Sequence, residues 1–260
     1  MCLIIFAHQA DPDLPLVVAA NRDEFFGRPT RAAQFWTTDD SQSQILAGKD
    51  LQAGGTWLGM SRGGRFAAVT NIRDPSLAEG KPRSRGELTL EFLQGSQSAA
   101  EYANSLRASF DQFAGYNLLL SDGQQFYYVN NFEAICRELE PGVYGVSNGV
   151  LDNDWPKVLL GKEKLEKLMS KGASLATDDL IRMMHDREQA PEGDLPDTGI
   201  SKELERKLSS AFIAGDDRGY GTLCSTAVIQ NKDGQIQFTE QNYTASGEPS
   251  ENPTFNFIRD

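Results

Sequence analysis

Residues 2 to 8, Cys2-Leu3-Ile4-Ile5-Phe6-Ala7-His8, form an almost unbroken apolar run, and Leu16 to Ala20 form another. Asp11-Pro12-Asp13 supplies a turn between them, so the pair reads as a β-hairpin. A strand with one wet face alternates apolar and polar residues, and these two strands do not. Both faces of the hairpin must therefore be covered, which calls for a layered fold. Asn21-Arg22-Asp23-Glu24 follows at once, a polar burst at the mouth of a buried strand.

Further along, Trp57 to Met60 and Phe66 to Asn71 flank Arg62-Gly63-Gly64, a second hairpin signal. Ser84 with Glu87, and Ser98 with Glu101, each have the spacing of a capping box ahead of apolar residues at helical intervals. Tyr116 to Leu120 and Gln125 to Val129 bracket Asp122-Gly123, and Val143 to Ser147 reads as a short strand ending at Asn148. A helix is expected from Asp154 to about Lys171, with Pro156 in its first turn, and another capped by Thr177. Glu188 to Gly199 reads as a mobile acidic surface loop, and Leu204 to Phe212 as an amphipathic helix. Thr222 to Gln230 and Gln235 to Tyr243 form a last hairpin around Asp233-Gly234. Strands and helices come in blocks rather than in alternation, which disfavours a parallel sheet and suits two antiparallel sheets with helices outside them. The expectation is α+β, one domain over residues 1–260.

A net charge of −12 over 260 residues argues against nucleic acid or an anionic membrane as the main partner. Three scattered cysteines and two histidines suit neither a disulfide framework nor a metal centre, so no metal and no cofactor are expected. The first apolar run is too short for a membrane span and lacks a basic leader, so the expected location is the cytoplasm.

Cys2 would become the N-terminal residue if Met1 were trimmed, carrying a thiol and a free α-amine together. An α-amine titrates near ~8 and can act as base for the neighbouring thiol. Attack on an amide also needs donors for the developing oxyanion, which Asn71 and Asn148 could supply from strand ends. Arg22 could favour the thiolate, and Asp23 or Glu24 could hold the α-ammonium. Each of these residues, taken singly, is also an ordinary strand-end or turn residue. The run Lys81-Pro82-Arg83-Ser84-Arg85, with Arg73 nearby, is either a solvated loop or a contact for an anionic group. His8 is read as a satisfied core histidine.

Met1-Cys2-Leu3-Ile4, Ala20-Asn21-Arg22-Asp23-Glu24, Gly55-Thr56-Trp57-Leu58-Gly59, Val69-Thr70-Asn71-Ile72-Arg73 and Tyr220-Gly221-Thr222 together resemble the NRDE family. That family includes the eukaryotic transport and Golgi organisation protein 2. It resembles in turn the N-terminal-nucleophile (Ntn) hydrolases, in particular the cysteine branch with penicillin V acylase and bile salt hydrolase. The resemblance implies a four-layer αββα sandwich, with Cys2 as nucleophile and its amine as base. It matches Asn71 and Asn148 to the acylases' two strand-end asparagines, Asn148 being the one of the oxyanion hole. The acylases carry Arg-x-x-Asp at the end of strand two. Here the same spacing gives Asn21-x-x-Glu24, so either these two substitute or Arg22 and Asp23 take over in a shifted register. Arg206 and Arg218 are the candidates for the acylases' last arginine, and Leu223-Cys224 stands where family members carry arginine after Gly-Thr.

Two functions are therefore expected from this chain. One is a cysteine amidohydrolase cleaving a linear amide through an acyl-enzyme. Its catalytic set would be Cys2, Asn21, Arg22, Asp23, Glu24, Asn71 and Asn148, with Trp57, Arg73, Arg83 and Arg85 on the substrate, a small amide or anionic molecule. The alternative, also implied by the resemblance, is a non-catalytic haem or acyl-CoA carrier whose ligand anion meets the 81–85 run.

Overall fold

The protein is described here by a computed structural model covering residues 2–37, 44–74 and 80–260. The chain opens with strands β1 (Cys2–Asp11), β2 (Leu14–Phe25), β3 (Thr30–Trp36), β4 (Ile45–Asp50), β5 (Leu58–Ser61) and β6 (Phe66–Asn71). Helices α1 (Arg85–Gln94) and α2 (Ala99–Ser105) follow, then β7 (Tyr116–Ser121), β8 (Phe126–Asn130), β9 (Ile135–Glu138) and β10 (Gly142–Val146). Helices α3 (Pro156–Met169), α4 (Thr177–Met184) and α5 (Lys202–Lys207) lead to β11 (Tyr220–Gln230), β12 (Gln235–Asn242) and β13 (Thr254–Ile258).

These elements build two compact units. The first takes Met1–Gly27, Arg73–Pro75 and Pro141–Phe257. Its six-stranded antiparallel sheet runs β10-β1-β2-β11-β12-β13. One face of the central strands packs Leu3, Ile5, Val17 and Ala19 against Val158, Leu165 and Leu180 of α3 and α4. Ile4, Phe6, Val18 and Ala20 point the other way and are fully buried as well. The apolar run that opens the chain is thus a central strand dry on both faces.

The second unit takes Arg28–Ile72, Ser76–Glu140 and Ile258–Asp260. Its sheet has the order β3-β4-β5-β6-β7-β8-β9, a meander covered by α1 and α2. Both capping boxes form: Ser84 and Glu87 start α1, and Ser98 and Glu101 start α2. Gly123, in the Asp122-Gly123 turn of the β7–β8 hairpin, has a φ of +89°, a conformation that a β-carbon disfavours. Among the described residues no helix is long and apolar enough to cross a membrane.

Four strands, β3, β4, β9 and β13, carry no clear sequence signal. β9 and β13 are edge strands, mostly exposed, so burial imposes no apolar pattern on them. Helix boundaries also shift. Trp155 rather than Asp154 precedes α3, and Thr177 is the first residue of α4 while its hydroxyl accepts from Thr239. The expected 204–212 helix shrinks to α5, although Leu208 and Phe212 stay buried. The 188–199 stretch is largely exposed and contains a single 3₁₀ turn at Glu192–Asp194.

Gly161 shows how tightly α3 lies on the sheet: a β-carbon there would sit 2.7 Å from Ile5. In a free helix Gly→Ala gains ~1 kcal/mol. Here the sign reverses, because Ile5 is fully buried and has no room to yield. Gly161→Ala is expected to lower stability by about 1–3 kcal/mol, read as a lower urea midpoint with an unchanged slope.

Candidate active site

Cys2 begins β1, and the antiparallel register sets it opposite Arg22 of β2, which is in turn opposite Cys224 of β11. Side chains paired this way share a face, so Arg22 lies between two thiols. All three cysteines of the chain are free. The Cys2 sulphur accepts the backbone N–H of Asp23. Burial pushes its pKa up, the Asp23 carboxylate adds to the rise, and Arg22 opposes it. A thiol in this setting keeps its proton at neutral pH and needs a base to become a nucleophile.

The β2–β11 register slips between Thr222 and Cys224, where Leu223 is an extra residue. Such a bulge re-aims neighbouring side chains. Thr222 Oγ donates to Asp23 Oδ1 at 2.7 Å and accepts the Ile213 N–H at 2.9 Å. The Tyr220 hydroxyl donates to the Asp23 carbonyl at 3.1 Å. The Asp23 carboxyl is thereby fixed in place, and burial raises its pKa against the opposing pull of Lys157, Thr222 and Arg73.

Asn21 and Glu24 are placed differently. The Asn21 side chain is on the helix-facing side of the sheet, where Nδ2 donates to the carbonyls of Met184 and Ala211, both at 2.8 Å. Its Oδ1 accepts from Ser225 Oγ at 2.5 Å, so this amide ties β2 to α4 and to the 211 segment instead of facing Cys2. Glu24 accepts the N–H of Phe25 towards the exposed strand end. The residues set against Cys2 are those of the shifted register, Arg22 and Asp23.

Ser147, directly after β10, donates to the Cys2 carbonyl at 2.9 Å. Its neighbour Asn148 is buried, and its Oδ1 accepts from Ser147 Oγ at 3.2 Å and from Arg73 Nη2 at 3.5 Å. An arginine can only donate, so this contact orients the amide with Nδ2 as its donor end. Arg73 also donates its backbone N–H to the Asn148 carbonyl at 2.7 Å. Its guanidinium pairs with Glu205 at 2.5 Å, with side chains 7% and 2% exposed, and stacks over Trp155. Glu205 further accepts the N–H and hydroxyl of Thr198.

Lys157, the second residue of α3, completes the group. A lysine in the first turn of a helix opposes the dipole. This one is 5% exposed, and its Nζ donates to the Leu208 carbonyl at 2.9 Å. Burial and Arg73 bring its pKa down to about 8, against Asp23, Cys2 and Glu205, which hold it up. The sequence reading missed Lys157, Ser147 and Glu205. The one available signal was the misplaced charge just after Pro156.

The remaining candidates have their own local settings. Arg206 pairs with Glu192 and Arg218 with Asp216, and both arginines are exposed. Asn71, Trp57, Arg83 and Arg85 belong to the second unit. There Asn71 ends β6, and Trp57 packs on the core beneath α1 and α2. Arg83 pairs with Glu87 at 2.9 Å and with Glu91, and Arg85 donates to the Gly115 carbonyl. Met1 lies outside the described residues. Among the described residues no cluster of three or more His, Cys, Asp or Glu could hold a metal ion.

Two outcomes follow. The folded pKa of Lys157 lies near 8 and its ordinary value at 10.5, so between these the unfolded chain holds more protons and stability rises with pH. Lys157→Met should therefore stabilise the protein by up to about 3 kcal/mol at pH 7, with the gain fading as pH rises above 8. Melting curves at pH 7 and pH 10 would show the difference. Glu205→Ala leaves the Arg73 guanidinium buried without its carboxylate and should cost about 3–5 kcal/mol in a denaturant titration.

The chain resembles solved structures only distantly in sequence, but over most or all of its length. An N-acylethanolamine-hydrolyzing acid amidase ortholog of Caenorhabditis elegans aligns at 10% identity and a TM-score of 0.52, covering 88% of this chain and 92% of that one. The C2A mutant of conjugated bile acid hydrolase from Clostridium perfringens aligns at 10% identity and a TM-score of 0.52, covering 100% of this chain and 98% of that one. Likeness at this level shows the fold: α+β, of the Ntn-hydrolase type. Among curated proteins, the Transport and Golgi organization protein 2 homolog of Bos taurus is 35% identical, covering 95% of this chain and 94% of its own length. The human homolog is 34% identical over 93% of this chain and 92% of its own length. With residues 1–245 also matching the model of Transport and Golgi organisation 2, this chain belongs to that family.

Proposed function

We propose that the chain is an N-terminal-cysteine amidohydrolase that cleaves a linear amide through an acyl-enzyme. The observation that carries this reading is the seat of Cys2. It begins a strand buried on both faces, with a donor on its sulphur from Asp23 and a donor on its carbonyl from Ser147, the neighbour of Asn148. The two structural neighbours are named an acid amidase and a conjugated bile acid hydrolase, the same class of reaction.

Removal of Met1 frees the α-amine of Cys2, which takes the thiol proton as sulphur attacks the amide carbon. The Asp23 carboxylate, fixed by Thr222, holds the resulting ammonium, and Arg22 steadies the sulphur as it gains charge. The carbonyl oxygen becomes an oxyanion, and Asn148 Nδ2, oriented by Arg73, donates to it. Collapse breaks the C–N bond, and the ammonium returns its proton to the leaving amine. The thioester is then opened by water, deprotonated by the same amine, releasing the acid and restoring the thiol.

The alternative of a haem or acyl-CoA carrier needs cations open to an anion at 81–85. Arg83 is instead engaged by Glu87 and Glu91, and no observation on Arg85 favours that reading.

The test has two parts. Intact mass should show the purified chain lighter by one methionine. A panel of N-acyl amides should then reveal turnover that Cys2→Ala abolishes without loss of fold, and that Asn148→Ala lowers by about 10²–10³-fold. Since the free amine is the base, kcat/KM should rise with pH towards the amine's ~8 and level above it. Turnover unchanged in Cys2→Ala would sink the proposal.

A further inference from the structure

The helix-facing side of the first unit carries a half-open cavity of about 290 Å³, on the opposite side of β1 from the Cys2 side chain. Leu3 of β1 forms part of its floor, and Leu160, Met183, Met184 and Ala211 supply apolar wall. At the mouth are Glu188 and Gln189, both exposed. Two lysines line it. Lys164 is neutralised by an ion pair with Asp186. Lys157 is not: among the described residues its only hydrogen bond goes to the Leu208 carbonyl, beside Ser209 and Ala211 of the cavity wall.

A buried ammonium has three donors, and one carbonyl leaves two of them unused, while Asp23, Cys2 and Glu205 favour the charge only through space. A buried charge is retained when something pairs with it, and among the described residues no carboxylate lies within ion-pair distance of this one. Lined chiefly by apolar side chains around one lysine with no ion-pair partner among the described residues, the cavity asks for a molecule with one anionic end and a short apolar body. At ~30 Å³ per water-sized group its volume admits roughly ten such groups, which suits an acid of about eight carbons.

We propose that this cavity is a second ligand site, separate from the Cys2 cleft, that takes a medium-chain carboxylate with its headgroup on Lys157 and its chain along Leu160 and Met183. The site needs no chemistry at Cys2 and stands whether or not the chain is a hydrolase. It does communicate with Cys2. The charge on Lys157 is felt by both Cys2 and Asp23, so an anion on Lys157 cancels part of the positive potential at the thiol.

Octanoate is the probe, with octylamine as the control of opposite charge. Calorimetric titration should show one octanoate bound per chain, and octylamine should bind at least tenfold more weakly. Cys2→Ala should keep the affinity, since the site is not the thiol cleft. Lys157→Met should lose at least tenfold, and Leu160→Trp, which fills the cavity from a half-exposed position and leaves the lysine in place, should lose as much. In the wild type, saturating octanoate should slow alkylation of Cys2 by iodoacetamide, followed by peptide mass, and should not do so in Lys157→Met. Absence of binding at millimolar octanoate, equal binding of octylamine, loss of affinity in Cys2→Ala, or full affinity in both cavity variants would each overturn the proposal.

Discussion

Everything at the candidate site depends on β1 being dry on both faces. A strand flanked by β10 and β2, with Leu3 and Ile5 on one side and Ile4 and Phe6 on the other, carries its first residue into a place where water is scarce. The apolar burial that stabilises the hairpin, about 1.5–3 kcal/mol for each large side chain, is what makes charge beside Cys2 expensive. Raised pKa values at Cys2 and Asp23 and a lowered one at Lys157 are three expressions of that one constraint.

Against this background the polar residues around Cys2 work against stability. Arg73 and Glu205 would be replaced by packed apolar side chains at little or no cost, as is general for buried ion pairs. Lys157 is worse, because among the described residues it has no carboxylate in contact. Three charged residues from separate parts of the chain converge on one strand end, through β10's successor Asn148, the start of α3 and α5. Such convergence has no folding rationale, and it is what makes this strand end the candidate site.

How much of this the sequence disclosed depends on whether a feature leaves a local mark. The hairpin, the two capping boxes and the glycine turns were legible because each is set by residues a few positions apart. Strands β9 and β13 were not, since an edge strand is under no burial pattern. Cys2, Asp23 and Asn148 stood out as polar or nucleophilic residues at ends of buried strands. Asn21 stood out for the same reason and has a different task, because alternation turns it to the helix side, and alternation is invisible when both faces are apolar. Lys157 and Glu205 reach the cluster from helices, through contacts more than a hundred residues apart for Glu205 and Arg73, and no spacing rule reports them.

The bulge at Leu223 bears on the cationic help that a cysteine nucleophile requires. Leu223 is an extra residue on β11 just there, and Thr222, itself accepting the Ile213 N–H, holds the Asp23 carboxyl. Arg22, one residue earlier, keeps the regular register and faces Cys2 directly. A cation and an anion of adjacent sequence therefore both act on the thiol at this strand end, Arg22 from across the ladder and Asp23 through its charge and its N–H. That juxtaposition suits proton transfer more than a standing thiolate. The anion raises the thiol's proton affinity and can hold an ammonium, while the cation limits the rise, so sulphur gains charge only as the proton leaves it.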